Sequence, residues 1–196
     1  LPEDNSLSGT LRLGSSPTVG PYLLPRVLRQ LHATYPDLKM VIRDGPPRDL
    51  SEGLSAGQHD MILSQLPLPE VDLRVQSLYR EPLVLAVPRE HPLATRRVVE
   101  LRDLEGESII TLSAAYAMHR QIATLAQTAG AVLRDEFEGT SLDALRQMVS
   151  LGMGITFLPA LYVKSEVNPI GGAVVTLPMR PTQTRTIGLA WRISSG

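Results

Sequence analysis

Twice in this chain a strand-like run passes into a helical pattern through a short stretch of small and hydroxylated residues. The first handover is Gly14-Ser15-Ser16-Pro17-Thr18-Val19-Gly20-Pro21, after a strand-like run over 10–14. Leu24, Val27, Leu28 and Leu31 then follow at the i, i+3, i+4, i+7 spacing of one helix face. The second is Ser113-Ala114-Ala115, between a strand over 108–112 and the helically spaced Met118, Ile122, Leu125, Ala126 and Ala129. At such an elbow the first amides of the helix lack intrahelical partners and carry the positive end of the helix dipole. Together with the hydroxyls of Ser15, Ser16 and Thr18 they suit an anion or a carbonyl oxygen. The plainer reading is that Ser16 or Thr18 simply caps the helix.

Each elbow opens the same series: strand, elbow, long helix, strand, short helix, short strand. The first round continues with a helix to 35, a strand at 38–43, a short helix over 50–56 capped by Asp49 and closed by Gly57, and a strand at 60–64. Pro21 and Pro25 leave the onset of the long helix open. A Pro-rich loop at 65–72 leads to separate strands at 73–78 and 83–87, then a turn at Arg89-Glu90-His91-Pro92 and a helical or turn segment at 101–106. The second round ends its long helix at Gly130, continues with a strand at 133–138 and a helix capped by Thr140 or Ser141 and closed by Gly152, then a strand at 155–158. A helix at 161–167 and strands at 174–177 and 186–191 complete the chain. Alternating strands and helices imply an α/β fold with parallel sheets, whose ligands sit beyond the carboxyl ends of the strands. The expected architecture is two Rossmann-like lobes presenting the elbows to a common cleft. The competing arrangement is one doubly wound sheet with both elbows on one edge.

Composition narrows the chemistry. At 43% hydrophobic residues over 196 positions, a packed core is expected and disorder is not. Nineteen basic against 20 acidic residues give a net charge of −1, and the longest basic run is Arg96-Arg97, so this chain is not expected to grip nucleic acid itself. There is no cysteine, which removes disulfides, thiolate metal sites and cysteine nucleophiles. The longest apolar runs, such as 83–87, are strand-sized, so no membrane partner is expected. No P-loop, GxGxxG, HExxH or GxSxG motif occurs. His32, His59, His91 and His119 lie apart, with no metal-ligand partner at i+3 or i+4. Glu105, Glu107, Asp135 and Glu136 read as exposed charges. No catalytic residue, metal site or cofactor is therefore expected.

Several ordered segments resemble the effector-binding domain of LysR-type transcriptional regulators: Leu11-Arg12-Leu13-Gly14, then Pro17-Thr18-Val19-Gly20-Pro21-Tyr22-Leu23-Leu24-Pro25, Tyr35-Pro36-Asp37-Leu38, Gly57-Gln58-His59-Asp60-Met61-Ile62, Glu81-Pro82-Leu83-Val84 with His91-Pro92-Leu93, and Ile155-Thr156-Phe157-Leu158-Pro159. The resemblance covers the chain from residue 8 and is closest to the peroxide-sensing branch. That branch's two redox cysteines fall at Ala117 and Ala126, so a thiol–disulfide switch is impossible here. Either the chain reads a small molecule instead, which is the favoured reading, or the cysteines have been replaced.

The resemblance implies a periplasmic-binding-protein type II-like fold with the ligand cleft between the lobes. It implies a linker at 1–7 from a helix-turn-helix DNA-binding domain upstream, a first lobe at 8–80 plus 187–196, and a second at 81–186. A further C-terminal helix is implied beyond Gly196. Family pockets map onto Ser15, Ser16, Pro17 and Thr18, Ser64 and Gln65, Ser113, Ala114 and Ala115, Thr140 and Ser141, and Leu158 and Pro159 with Ala160. The implied partners are a small-molecule effector, by the donor-rich elbows an organic anion, and further copies in a homodimer or tetramer; DNA is bound only through the upstream domain. The few aromatics, 4%, argue against an aromatic cage. The implied setting is cytoplasmic transcription control. A transport solute-binding protein shares the two-lobe plan and is the alternative.

Overall fold

The structure is a computed structural model that describes residues 8–70 and 72–193. The expected linker at 1–7 lies outside the described residues. The chain divides into two compact units, one taking Leu1–Tyr79 and Ile187–Gly196, the other Arg80–Thr186.

In the first unit β1 (Gly9–Ser15) lies between β2 (Leu38–Asp44) and β3 (Met61–Leu66), parallel to both. Cross-strand partners in a parallel ladder share a face, and alternate residues along each strand do too. One face therefore carries Leu11, Leu13, Met40, Ile42, Met61 and Leu63. Helix α1 (Gly20–Thr34) covers it: Leu24 and Leu28 pack with Leu13, Ile42 and Leu63. The opposite face carries Arg12, Gly14, Val41, Arg43, Ile62 and Ser64. It receives α2 (Pro47–Ser55), whose Leu50 and Leu54, one turn apart, bury with Ile62 and Ala190. β2 is the outer strand of the order β2-β1-β3.

Two strands run through the boundary between the units, β4 (Leu73–Pro88) and β11 (Gln183–Arg192). The sequence splits β4 at 79–82, where polar residues precede Pro82. In the structure the strand is continuous, and its ladder to β8 (Thr156–Pro159) begins at Leu83, just past the residue with no N–H to give.

In the second unit β6 (Ser108–Leu112) and β7 (Val132–Gly139) are parallel, with α3 (Ala117–Ala129) between them in sequence. Its buried residues Met118, Ile122, Leu125, Ala126 and Ala129 are those of the expected apolar face. Gly130, at φ 70°, ends the helix in the left-handed conformation that glycine accepts without Cβ strain. Helix α4 (Leu142–Ser150) begins at Ser141, whose hydroxyl accepts from the Ala144 amide at 3.1 Å. β8 and β9 (Val174–Leu177) pair with β4 antiparallel, so the expectation of parallel pairing fails there. α5 (Ala160–Glu166) follows β8, and two short strands absent from the sequence reading, β5 (Val99–Glu100) and β10 (Met179–Arg180), pair with each other.

The start of α2 also differs from expectation. Asp49 lies in the first turn instead of capping it; Pro46 is the cap and Pro47 opens the helix, where a proline's missing N–H would have had no helical partner anyway.

Candidate functional site

The first elbow follows from the β1–β3 pairing. Ser15 faces Leu63 in the ladder, so Ser16 leaves β1 at the end where Ser64 and Gln65 continue β3. The Ser16 amide donates to the Leu63 carbonyl at 2.9 Å and pins the turn to the sheet. The Ser16 carbonyl then accepts from the amides of Val19, at 3.0 Å, and Gly20, at 2.9 Å, which starts α1. The hydroxyls of Ser16 and Thr18 bond to each other at 3.0 Å, and the Thr18 amide reaches Ser16 Oγ at 3.3 Å. Ser15, Ser16 and Thr18 are all buried, as are Ser64 and Gln65; Pro17 is half-buried. A Cβ on Gly20 would stand 2.2 Å from Ser15 Oγ, so the buried Ser15 hydroxyl requires glycine at the helix start.

Two expectations change. Val19 is the helix N-cap and makes no side-chain capping bond, so neither Ser16 nor Thr18 has the plain capping role. Nor is the helix start a row of free amides: Val19, Gly20, Tyr22 and Leu23 donate within the turn, and Pro17 and Pro21 have no N–H. What this elbow offers is a group of buried hydroxyls beside Ser64 and Gln65.

The second elbow repeats the pattern with different chemistry. Leu112 faces Gly139 across β6–β7, which brings Ser113 next to Thr140 and Ser141. The Ser113 amide donates to the Gly139 carbonyl at 3.1 Å, and Ser113 Oγ accepts from the Ala115 amide at 3.1 Å. The Ala114 amide donates to Glu138 Oε1 at 3.3 Å, so a carboxylate of the chain itself already occupies one anion-seeking position. His119 Nδ1 donates to the Leu112 carbonyl at 2.8 Å and tethers α3 to the end of β6. Ala114, Ala115 and Thr140 are exposed and Ser113 is half-buried. Ser141 is engaged as the α4 cap. Leu158 and Pro159 are buried on β8 against β4, and Pro159 is the N-cap of α5.

Of the branch's two redox positions, Ala117 is the first residue of α3 and Ala126 is buried on the same helix. Glu107, read as an exposed charge, is half-buried and meets His91 Nε2 at 3.0 Å, while His91 Nδ1 accepts from the Leu93 amide at 3.0 Å. Burial and a hydrogen bond to Asp143 raise the Tyr162 phenol well above its ordinary range. Arg12 holds the Asp60 carboxyl below its usual value, mainly by hydrogen bonding. No group of His, Asp and Glu able to hold a metal occurs among the described residues. Sequence reasoning missed Glu138 and the buried Glu81–Arg185 pair, because each meets its partner through long-range pairing that no local motif announces.

Comparison with known proteins gives a consistent result. The chain is 38% identical over 194 residues to the "DNA-binding transcriptional dual regulator OxyR" of Escherichia coli, covering 98% of this chain and 63% of that protein. It is 28% identical over 183 residues to the Bacillus subtilis transcriptional dual regulator GltC, covering 92% of this chain and 60% of that one. The chain thus spans less than two thirds of the length of these relatives. Among solved structures, reduced OxyR superposes with a TM-score of 0.85 at 38% identity, covering 96% of this chain and 88% of that one. A cysteine-substituted Corynebacterium glutamicum OxyR with hydrogen peroxide bound gives 0.88 at 29% identity, covering 97% of this chain and 60% of that one. Residues 4–195 match the LysR substrate binding domain, and the chain belongs to that family of regulatory domains, with its periplasmic-binding-protein type II fold.

Proposed function

We propose that this domain senses a small polar molecule, an organic anion by class, for a LysR-type transcription factor. The observation that carries the reading is the buried hydroxyl group of Ser15, Ser16 and Thr18, set with Ser64 and Gln65 at the carboxyl end of a parallel ladder, in a chain whose relatives regulate transcription. Ligands of open parallel sheets gather at that end. Ser113 and Thr140, next to each other at the end of the β6–β7 ladder, are the corresponding contacts of the second unit. The domain acts by binding and not by catalysis. In the full-length protein it sets the geometry of a homodimer or tetramer in the cytoplasm, and an upstream helix-turn-helix domain holds the DNA. Without cysteine the signal is a ligand and not a disulfide.

The test is calorimetry of a panel of small mono- and dicarboxylic acids against the wild type, Thr18→Val and Ser113→Ala. Thr18→Val keeps the volume and removes the hydroxyl. Loss of one hydrogen bond to a charged ligand costs about 1.5–3 kcal/mol, tenfold or more in affinity. For any acid that binds, unchanged affinity in both variants rules these elbows out as the site.

A further inference from the structure

On the α2 face of the first unit, α2 is nine residues long and its buried leucines pack on Ile62 and Ala190, toward β3. Beside β2 a recess of about 290 Å³ opens, lined by Arg12, Val41, Arg43, Gln58 and His59. The ladder register builds it. Arg12 faces Val41 and Gly14 faces Arg43, so all four stand on one face, with two guanidinium-bearing residues on adjacent strands. Gln58 and His59, just past the end of α2, complete the lining.

We infer that this recess is a second binding site, selective for a small oxyanion such as a phosphate or carboxylate group. Three features converge. Arg12 uses one guanidinium nitrogen on Asp60, Nη2 to Oδ1 at 3.1 Å, and keeps the rest of its donor fork. Arg43 is exposed and has no partner among the described residues, so one positive charge at the recess is unbalanced. His59 is 6% exposed as a residue, and its ring nitrogens, which bond to no described residue, are not among the sealed polar atoms and so remain open to solvent. Burial and the two arginine charges keep its imidazole neutral to lower pH than usual. An oxyanion between the guanidinium groups would supply what the site lacks: a counter-charge for Arg43 and an acceptor for an imidazole N–H.

The ring is held there by the backbone. A Cβ on Gly14 would stand 2.9 Å from His59 Cδ2, and one on Gly53 would stand 2.6 Å from Cδ2 and Nε2. Glycine on both sides makes the slot for the imidazole. A charge such as Arg43 on an outer strand also blunts edge-to-edge pairing. That role alone gives no reason for a second arginine and a mostly buried imidazole with open ring nitrogens to share the recess. The site lies wholly within the first unit and uses none of the elbow residues.

The experiment is an NMR titration of the chain with inorganic phosphate and, in a separate arm, citrate, at constant ionic strength. It follows the His59 ring and the Arg43 Nε–H signals. The expected result is saturable shifts of both, a His59 titration midpoint that rises with anion, and affinity about tenfold weaker or more in Arg43→Gln. The arm that saturates at lower concentration identifies the phosphate or carboxylate class. Shifts that do not saturate, or that saturate equally in Arg43→Gln, mean an adventitious ion only and overturn the proposal. Thr18→Val and Ser113→Ala are run alongside: loss of phosphate or citrate binding in these, and not in Arg43→Gln, would assign the anion to the elbows instead.

Discussion

The buried pair Glu81–Arg185 offers the sharpest energetic test of the second unit. Arg185 donates to Glu81 Oε1 through Nε at 2.9 Å and Nη2 at 2.8 Å, and the two side chains are 2% and 0% exposed. Glu81 Oε2 accepts from the Leu161 amide at 2.9 Å, in the first turn of α5, while Arg185 Nη1 reaches Met118 Sδ on α3 at 3.4 Å. One ion pair thus fastens β4, β11, α3 and α5. Glu81→Gln keeps the shape and an acceptor for the Leu161 amide but removes the counter-charge of a sealed guanidinium. Leaving such a charge unpaired costs about 3–5 kcal/mol. At about 2–4 °C per kcal/mol for a chain of this size, the melting temperature should fall by roughly 6–20 °C. The discriminating variant is Glu81→Gln with Arg185→Met, which removes the charge altogether. It should recover most of the loss, since an apolar replacement of a buried pair is often neutral or better. Urea unfolding followed by circular dichroism gives the free energies, and thermal unfolding by the same signal gives the melting temperatures. A loss below about 1 kcal/mol in Glu81→Gln, or a double variant as unstable as the single, refutes the claim that charge compensation holds these elements together.

Ser141→Ala should destabilise the second unit by about 0.5–2 kcal/mol through loss of the α4 cap, read from the urea midpoint. His59 protonates below its ordinary 6.5 in the folded chain, chiefly through burial, so the unfolded chain takes up the proton first. Its contribution to stability is complete above pH 6.5 and is lost as pH falls through the folded value; His59→Gln should remove that part of the pH slope in urea titrations at stepped pH. Mild peroxide should produce methionine oxidation and no disulfide by mass spectrometry, and a conformational response that survives replacement of all six methionines would reveal other redox chemistry.

The periodic parts of the fold were legible because they are local. Met118, Ile122, Leu125, Ala126 and Ala129 announce one helix face, and Gly130 and Gly152, at φ 70° and 77°, mark the two helix ends where they were expected. Non-local pairing was less legible. The polar run before Pro82 reads as a break, yet β4 passes through it, because a crossing strand is set by its partners and not by alternation at that point. The same limit hides the antiparallel set of β8 and β9 on β4, and the recess at Arg12, Arg43 and His59, which exists only once β1 and β2 are in register.

At the elbows, residue types were legible and hydrogen-bond partners were not. Small and hydroxylated residues at a strand-to-helix handover point to a donor-rich corner, but a donor serves a ligand only if the fold leaves it available. Here Val19 and Gly20 give their amides to Ser16, Ser16 and Thr18 pair their hydroxyls, and Glu138 takes the Ala114 amide. A ligand at these corners therefore binds by exchange: it must replace an internal bond as well as bonds to water. The net gain is then the difference between two bonds of similar kind, and a near-miss ligand that opens the Ser16–Thr18 pair without replacing it forfeits that bond, a net loss of about 0.5–1.5 kcal/mol. Such a corner discriminates by penalty more than by attraction. Recognition of a polar ligand at the first corner would then be set by how fully it re-pairs Ser16 and Thr18, which a scan for hydroxyls in the sequence does not reveal.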